Sequence, residues 1–133
     1  MTTERLSIKT KGRTDLVDIT SRVQAAVADS GVEAGICFVY VPHTTAGVTI
    51  NENADPSVRT DIIGVLDRLA PWEGGYAHTE GNSAAHVKAS IMGSCASIPV
   101  ERGRLALGTW QGIYFCDFDG PRTRSCIVKV MEG

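Results

Sequence analysis

The sequence of 133 residues has no long apolar run and almost no surplus of charge of one sign. Its N-terminus, MTTERLSIKTKGR, lacks the apolar core of a signal peptide, and no segment approaches the roughly 20 apolar residues of a membrane span. A formal net charge of −2 leaves no basic surplus for nucleic-acid phosphates. We therefore expect a cytoplasmic protein that binds neither a membrane nor a nucleic acid.

The four cysteines include no Cys-x-x-Cys pair, so a cysteine-rich zinc site is not indicated. Cys37, Cys116 and Cys126 lie in apolar, strand-like runs, where a free thiol packs as a small hydrophobic group. We expect reduced, structural thiols, as is usual in a reducing compartment. Walker, GxGxxG, Gly-x-Ser-x-Gly and HExxH motifs are also missing, so the enzyme classes that depend on them have no support.

What the chain does contain is a mixed order of strand and helix patterns, predicted to form one domain over residues 1–133. Alternating polar and apolar residues predict a strand at 5–10, with residues 14–17 as its hairpin partner. The run 35–41 is apolar on both faces, which predicts a central strand covered on both sides. Further strands are expected at 46–51, 97–100, 104–108, 110–118 and 124–131.

Three helices are predicted from capping residues and apolar spacing. Their starts and stops are Asp18 or Thr20 with Gly31, Asp55 with Pro71, and Asn82 with Gly93. The second helix has proline at its first position and one apolar stripe, formed by Val58, Ile62, Val65 and Leu69.

This order of elements predicts the α+β class, with a largely antiparallel or mixed sheet and about three helices. The last third of the chain is all strand and creates a large sheet face. Three modest helices are not enough to cover that face, so we expect part of it to be buried against other subunits.

Only three histidines are present, His43, His78 and His86, and none lies in the middle of an apolar helix face. If their segments converge, three neutral imidazoles and a water would form an open zinc site. The spacing of His78 and His86 is no recognised metal pattern, so histidines that make ordinary hydrogen bonds remain the alternative. The acids that could orient the rings are Glu52, Asp55, Glu80 and Asp117.

A second constellation, CDFDGPRTR at 116–124, combines two acids with two arginines around a turn. Asp117 and Asp119 share a strand face, and Arg122 and Arg124 follow the turn. The four side chains can form a structural ion-pair network, or the guanidinium groups can bind an anion.

The run GTWQG, at 108–112, allows two interpretations. Trp110 can simply pack in the fold with its N–H satisfied. Alternatively, Trp110 or Gln111 can line a pocket and offer an apolar wall or an amide hydrogen bond.

The segments HTTAGVTINENADPSVRTD, EGNSAAHVKASIMGS and RGRLALGTWQGIYFCDFDGPRTR resemble the YjbQ-like family, in order and over nearly the whole chain. The resemblance implies an α+β homotrimer whose sheets pack around the threefold axis. It places His43, His78 and His86 on histidine positions suspected of binding a divalent metal, which we take to be zinc. It also implies a weak activity labelled secondary thiamine-phosphate synthase. The family usually has glutamate where this chain has Asp117.

We therefore expect a metal-associated enzyme that acts on a small phosphorylated or anionic substrate and possesses weak thiamine-phosphate synthase activity. Asp117 or Glu80 would orient a group or act as general base. Arg122 and Arg124 would clamp the anion and stabilise a departing pyrophosphate, with Gln111 as a further anion contact. The alternative is a non-catalytic trimeric binding protein for a small anionic metabolite, in which the histidines need no metal.

Overall fold

All strand pairings in the fold are antiparallel, and they form two separate sheets. The structure is a computed structural model that describes residues 2–133. In chain order its elements are β1 (Thr2–Lys9), β2 (Asp15–Asp18), α1 (Thr20–Ser30), β3 (Ala34–Tyr40), β4 (Ala46–Glu52), α2 (Pro56–Leu69), α3 (Ser83–Met92), β5 (Cys95–Glu101), β6 (Arg104–Leu105), β7 (Gln111–Asp117) and β8 (Thr123–Glu132). One sheet has the order β1-β8-β3-β5-β6 and the other has the order β2-β7-β4. The α+β class is confirmed.

The three-stranded sheet is covered on both faces, whereas the five-stranded sheet is covered on one. The main core lies between the inner faces of the two sheets and α1, and it includes Val39, Phe115 and Val128. A second apolar cluster fills the space between the three-stranded sheet and the helices α2 and α3, with Leu66 and Phe118 among its members. The fold is therefore layered. Within residues 2–133, no helix packs over the outer face of the five-stranded sheet.

Local capping signals correctly mark the start of α2 and the end of α1. Asp55 accepts a hydrogen bond from the Ser57 N–H (2.9 Å), and Gly31 ends α1 in the left-handed conformation. The N-cap of α1 is Ile19 and not Asp18 or Thr20 as predicted, although the Asp18 carboxylate accepts a hydrogen bond from the Thr20 N–H. The four cysteines are free, and three of them are buried, as expected for structural thiols.

The predicted hairpin between residues 5–10 and 14–17 is wrong. β1 pairs with β8, and β2 pairs with β7 in the other sheet. The reason is that β2 has an apolar residue on each face. Leu16 is buried in the second cluster while Val17 packs against the main core, so β2 belongs in the sheet that is covered twice.

Two apolar faces that were expected to be covered are open. β3 is the central strand of its sheet, as predicted, but Ile36 and Tyr40 on its outer face are each 46% exposed. Only Leu66 of α2 is fully buried, and the predicted stripe residues Val65 and Leu69 are 44% and 67% exposed. The expected strand 104–108 is reduced to the two residues of β6. Within residues 2–133, no helix is long and apolar enough to cross a membrane.

Candidate functional site

A cavity of about 660 Å³ opens beside the end of β3 and the start of α3. His43 follows β3, His78 lies in the loop before α3, and His86 lies in the first turns of α3. The cavity brings the three histidines together with both arginines that precede or begin β8. The lining side chains that carry polar or charged groups include His43, His78, His86, Arg122, Arg124, Glu80, Asn82 and Asp119.

His78 and His86 are direct neighbours in this cavity. Their ring centroids lie 5.3 Å apart, with the rings edge to face at 88°. Two imidazoles bound to one tetrahedral zinc, with Zn–N near 2.0–2.1 Å, place their ring centres about 5 Å apart, so this separation suits a shared ion. The same separation is also usual for two packed aromatic rings. Glu80 is also close to His78, with its Oε1 4.0 Å from His78 Nε2.

His43 is held differently from the other two histidines. Its Nε2 accepts a hydrogen bond from the backbone N–H of Ser125 at 3.1 Å, and its ring meets Phe115 edge-on at 6.4 Å. Burial lowers the pKa of His43, and the positive charge of Arg124 lowers it further. His43 therefore favours the neutral imidazole. Together with His86 it also lines a second cavity of about 540 Å³ that shares this wall.

Arg124, which lines the cavity, forms a buried ion pair with Asp117. Arg124 Nη2 donates to Asp117 Oδ1 at 2.8 Å and to Thr45 Oγ1 at 2.7 Å, while Thr10 Oγ1 donates to Asp117 Oδ2. Burial alone would raise the pKa of Asp117, but hydrogen bonds from Arg124, Thr10 and the Asp119 N–H outweigh it and lower the pKa. Asp117 is fully buried, so its carboxylate positions Arg124 and does not reach the cavity.

Arg122 is the more accessible arginine. Its side chain is 51% exposed, and its Nη2 lies 3.3 Å from Asp119 Oδ2. Asp119 also accepts a hydrogen bond from Asn82 Nδ2 at 3.0 Å. Asn82 therefore does not cap α3 with its side chain, contrary to the prediction, and it ties the start of that helix to the turn before β8.

The predicted metal site is only partly assembled. In the described part of the chain, the side chains of His78 and His86 make no hydrogen bond and their rings have a separation that suits one ion, but the lone pair of His43 Nε2 already accepts from Ser125. Across residues 2–133, no group of three or more His, Cys, Asp and Glu side chains has the geometry to hold a metal ion. The ring separation of His78 and His86 is compatible with a shared ion, whereas Nε2 of His43 is occupied by its hydrogen bond from Ser125.

Comparisons with known proteins identify the family of this chain. The family model described as UPF0047 protein YjbQ-like matches residues 4–133. The chain belongs to the YjbQ-like family. UPF0047 protein YugU of Bacillus subtilis is 54% identical over 95% of this chain and 96% of its own length. A Methanocaldococcus jannaschii UPF0047 protein is 52% identical over 96% of this chain and 92% of its own.

A solved structure from the same family has the same fold. The uncharacterised YjbQ/UPF0047 protein of Clostridium acetobutylicum has a TM-score of 0.95 and 55% identity, over 96% of this chain and 99% of that one. The resemblance found in the sequence motifs is therefore confirmed as family membership. These YjbQ-like relatives have names that state no reaction.

Some residues that the motifs suggested are not at this cavity of the YjbQ-like fold. Gln111 pairs with Glu52 at one end of β7, whereas Asp117 pairs with Ala46 at the other end. Six residues of strand separate the two ends by about 20 Å. Gln111 instead accepts a hydrogen bond from the Gly108 N–H, and Asp55 caps α2. Within one chain, Gln111, Glu52 and Asp55 are therefore remote from the histidines.

Sequence reasoning also missed site residues of this YjbQ-like chain. Tyr40 and Thr45 lie on either side of His43 in the chain and line the cavity, yet Tyr40 was interpreted only as a strand residue and Thr45 was given no role. Their proximity to His43 in the sequence was the available signal. Asn82 was interpreted only as a helix cap, although it lies midway between His78 and His86 in the chain.

Proposed function

We propose that this protein is a metal-assisted enzyme that acts on a small phosphorylated or anionic substrate in the 660 Å³ cavity. The observation that supports this most directly is the convergence of three histidines and two arginines around that cavity. Its volume is typical of small-molecule sites. Thiamine-phosphate synthesis is the activity we propose to test first.

The charged groups that line the cavity give it no net charge to attract an anion. The lining contains two guanidinium groups and two carboxylates, Glu80 and Asp119, so its formal charges cancel when the histidines are neutral. A divalent ion held by His78 and His86 would make the cavity positive and attract a phosphate. Such an ion would supply electrostatic stabilisation for a departing anionic group. Glu80 would orient His78, and Arg122 would provide a guanidinium fork for phosphate oxygens.

Metal analysis and a paired assay test the proposal. Protein purified without a histidine tag is expected to contain about one zinc per chain, and His86→Ala is expected to lose it because half of the neighbouring imidazole pair is removed. Val87→Ala, the adjacent exposed position of α3, is the matched control and should retain zinc. With the two thiamine precursors, the wild type should form product, and Arg122→Ala should lose most of this turnover.

Two outcomes would contradict the enzyme proposal. A zinc content well below one per chain that is the same in the wild type and in His86→Ala would contradict the proposed metal site. Turnover that is equal in the wild type and in Arg122→Ala would identify the activity as contamination.

A second candidate is a non-catalytic binding protein for a small anionic metabolite. The observation in its favour is that His43 already uses Nε2 in a backbone hydrogen bond, as it would in a site that needs no metal. Phosphate that raises the melting temperature of zinc-free protein, without product formed from any phosphorylated compound tested, would favour this candidate.

We propose that the uncovered sheet face is buried against other subunits, in the homotrimer that the family resemblance implies, and we place the protein in the cytoplasm. Ile36, Tyr40 and Met131 are exposed on that face, and exposed apolar surface of this kind is typical of a subunit interface. Tyr40 also lines the cavity, so a neighbouring chain would lie close to its rim. Light scattering should give the mass of three chains. Ile36→Asp should reduce it, and a single-chain mass for the wild type would contradict the proposal.

A further inference from the structure

The His43 side chain continues a β-ladder beyond the end of its strand. The pairing of β3 with β8 ends at Tyr40 and Ile127. Two residues before Ile127, the Ser125 N–H would have no strand partner on that side. His43 Nε2 accepts this hydrogen bond at 3.1 Å, which fixes the imidazole at the edge of the cavity.

This hydrogen bond determines where the proton of the imidazole lies. A neutral imidazole has one N–H and one lone pair, whereas a protonated imidazole has two N–H groups and no acceptor. Because Nε2 accepts from Ser125, the ring is neutral and its proton is on Nδ1. Nδ1 makes no hydrogen bond within residues 2–133. It is also not among the buried side-chain atoms that lack a partner, which are Asn82 Oδ1 and Arg124 Nε.

We propose that His43 is a fixed hydrogen-bond donor, through Nδ1–H, to an oxygen of the anionic ligand, and that it is not a metal ligand. The inference rests on the proposed function, because it assigns a role within the same cavity. His43 lines that cavity together with Arg122, so both could contact one phosphate group.

Metal binding by His43 would conflict with this arrangement at either nitrogen. Coordination through Nε2 would break the bond to Ser125 and leave a half-buried N–H without its partner. Coordination through Nδ1 would require removal of its proton while Nε2 still accepts, which demands an imidazolate. Neither cost applies to His78 or His86, which make no side-chain hydrogen bond within the described residues.

Long-range ¹H–¹⁵N spectra of the whole protein test the tautomer directly. His43 should show a protonated Nδ1 and an unprotonated Nε2, both before and after zinc is added, while His78 and His86 should shift on zinc addition. An Nε2–H tautomer at His43, or a zinc-induced change at either of its nitrogens, would overturn the proposal.

Phosphate binding to matched variants tests the donor role. By calorimetry with inorganic phosphate, His43→Ala should weaken binding by about 10- to 150-fold, the usual contribution of a hydrogen bond to a charged group. His43→Asn should recover much of this loss, because its amide nitrogen lies near the position of Nδ1. Zinc content should be unchanged in both variants, and circular dichroism would confirm that each is folded.

The failures of the two proposals are distinguishable. Wild-type protein that binds no phosphate would overturn the proposed function and the donor role together. Wild-type binding that His43→Ala leaves unchanged would overturn the donor role alone. Loss of zinc in His43→Ala, to the extent expected for His86→Ala, would make His43 a ligand and also overturn this inference.

Discussion

Asp117→Asn is expected to lower the free energy of unfolding by about 3–5 kcal/mol, which corresponds to a melting temperature about 10–20 °C lower. Asp117 is fully buried and its carboxylate is paired with Arg124, whose side chain is only 4% exposed. The amide of asparagine keeps the shape but removes the charge, so the Arg124 guanidinium remains buried without compensation. Urea unfolding at one fixed protein concentration would measure the loss.

Asp119→Asn is the matched control for this prediction. It makes the same chemical change two residues along, but its ion-pair partner Arg122 is half exposed. We expect the free energy of unfolding to fall by less than about 1 kcal/mol, as for other ion pairs that solvent screens. Equal losses of unfolding free energy in the two variants would show that burial does not account for the contribution of the Asp117–Arg124 pair to stability.

The effect of Asp117→Asn should also depend on pH. The pKa of Asp117 is lowered in the folded chain, so its charge stabilises the fold above the unfolded pKa of about 3.9. This stabilisation is lost as the pH falls through the lower, folded pKa. The difference between wild type and variant should therefore be largest near neutral pH and shrink below about pH 4. A difference that is constant from pH 7 to pH 3 would contradict this account.

The sequence predicted local features of the fold better than its long-range pairings. Asp55 before Pro56 and Gly31 after α1 determine helix ends through contacts within a few residues, so their effects are readable in sequence. The partner of β1 is more than one hundred residues away, because Leu6 pairs with Cys126. Leu16 and Val17 are adjacent apolar residues and so face opposite sides of a strand, but residues 14–17 alone do not show which sheet that strand joins.

The candidate site shows the same contrast between local features, which the sequence predicted, and long-range contacts, which it did not. Strand-end placement made His43 a reasonable candidate, and the arginines after the turn were recognised from their motif. The approach of His78 to His86 depends on the path of the loop before α3, which spacing alone does not specify. The carboxylate of Asp117 could not be distinguished from a catalytic one, because one of its partners, Thr10, is 107 residues away in the chain and the motif alone left open whether Arg124 pairs with Asp117 or binds an anion.

Phe115→Ala is expected to destabilise the protein by about 3–5 kcal/mol. Phe115 is fully buried in the main core, where it lies on β7 between Val17 of β2 and Val48 of β4. Truncation to alanine removes its buried apolar area and leaves a cavity that the flanking strands can close only in part. The shift in the urea midpoint, with an unchanged slope, would report the loss.

Phe115→Ala should also affect the candidate site, because the rings of Phe115 and His43 lie edge to face with their centroids 6.4 Å apart. Phe115→Leu is the graded control, since it keeps a large apolar side chain at the same position and should cost clearly less stability. In Phe115→Ala the imidazole loses one wall of its support, and we expect weaker phosphate binding than in Phe115→Leu. If both variants bind phosphate as the wild type does, the hydrogen bond from Ser125 alone is sufficient to hold His43 in place.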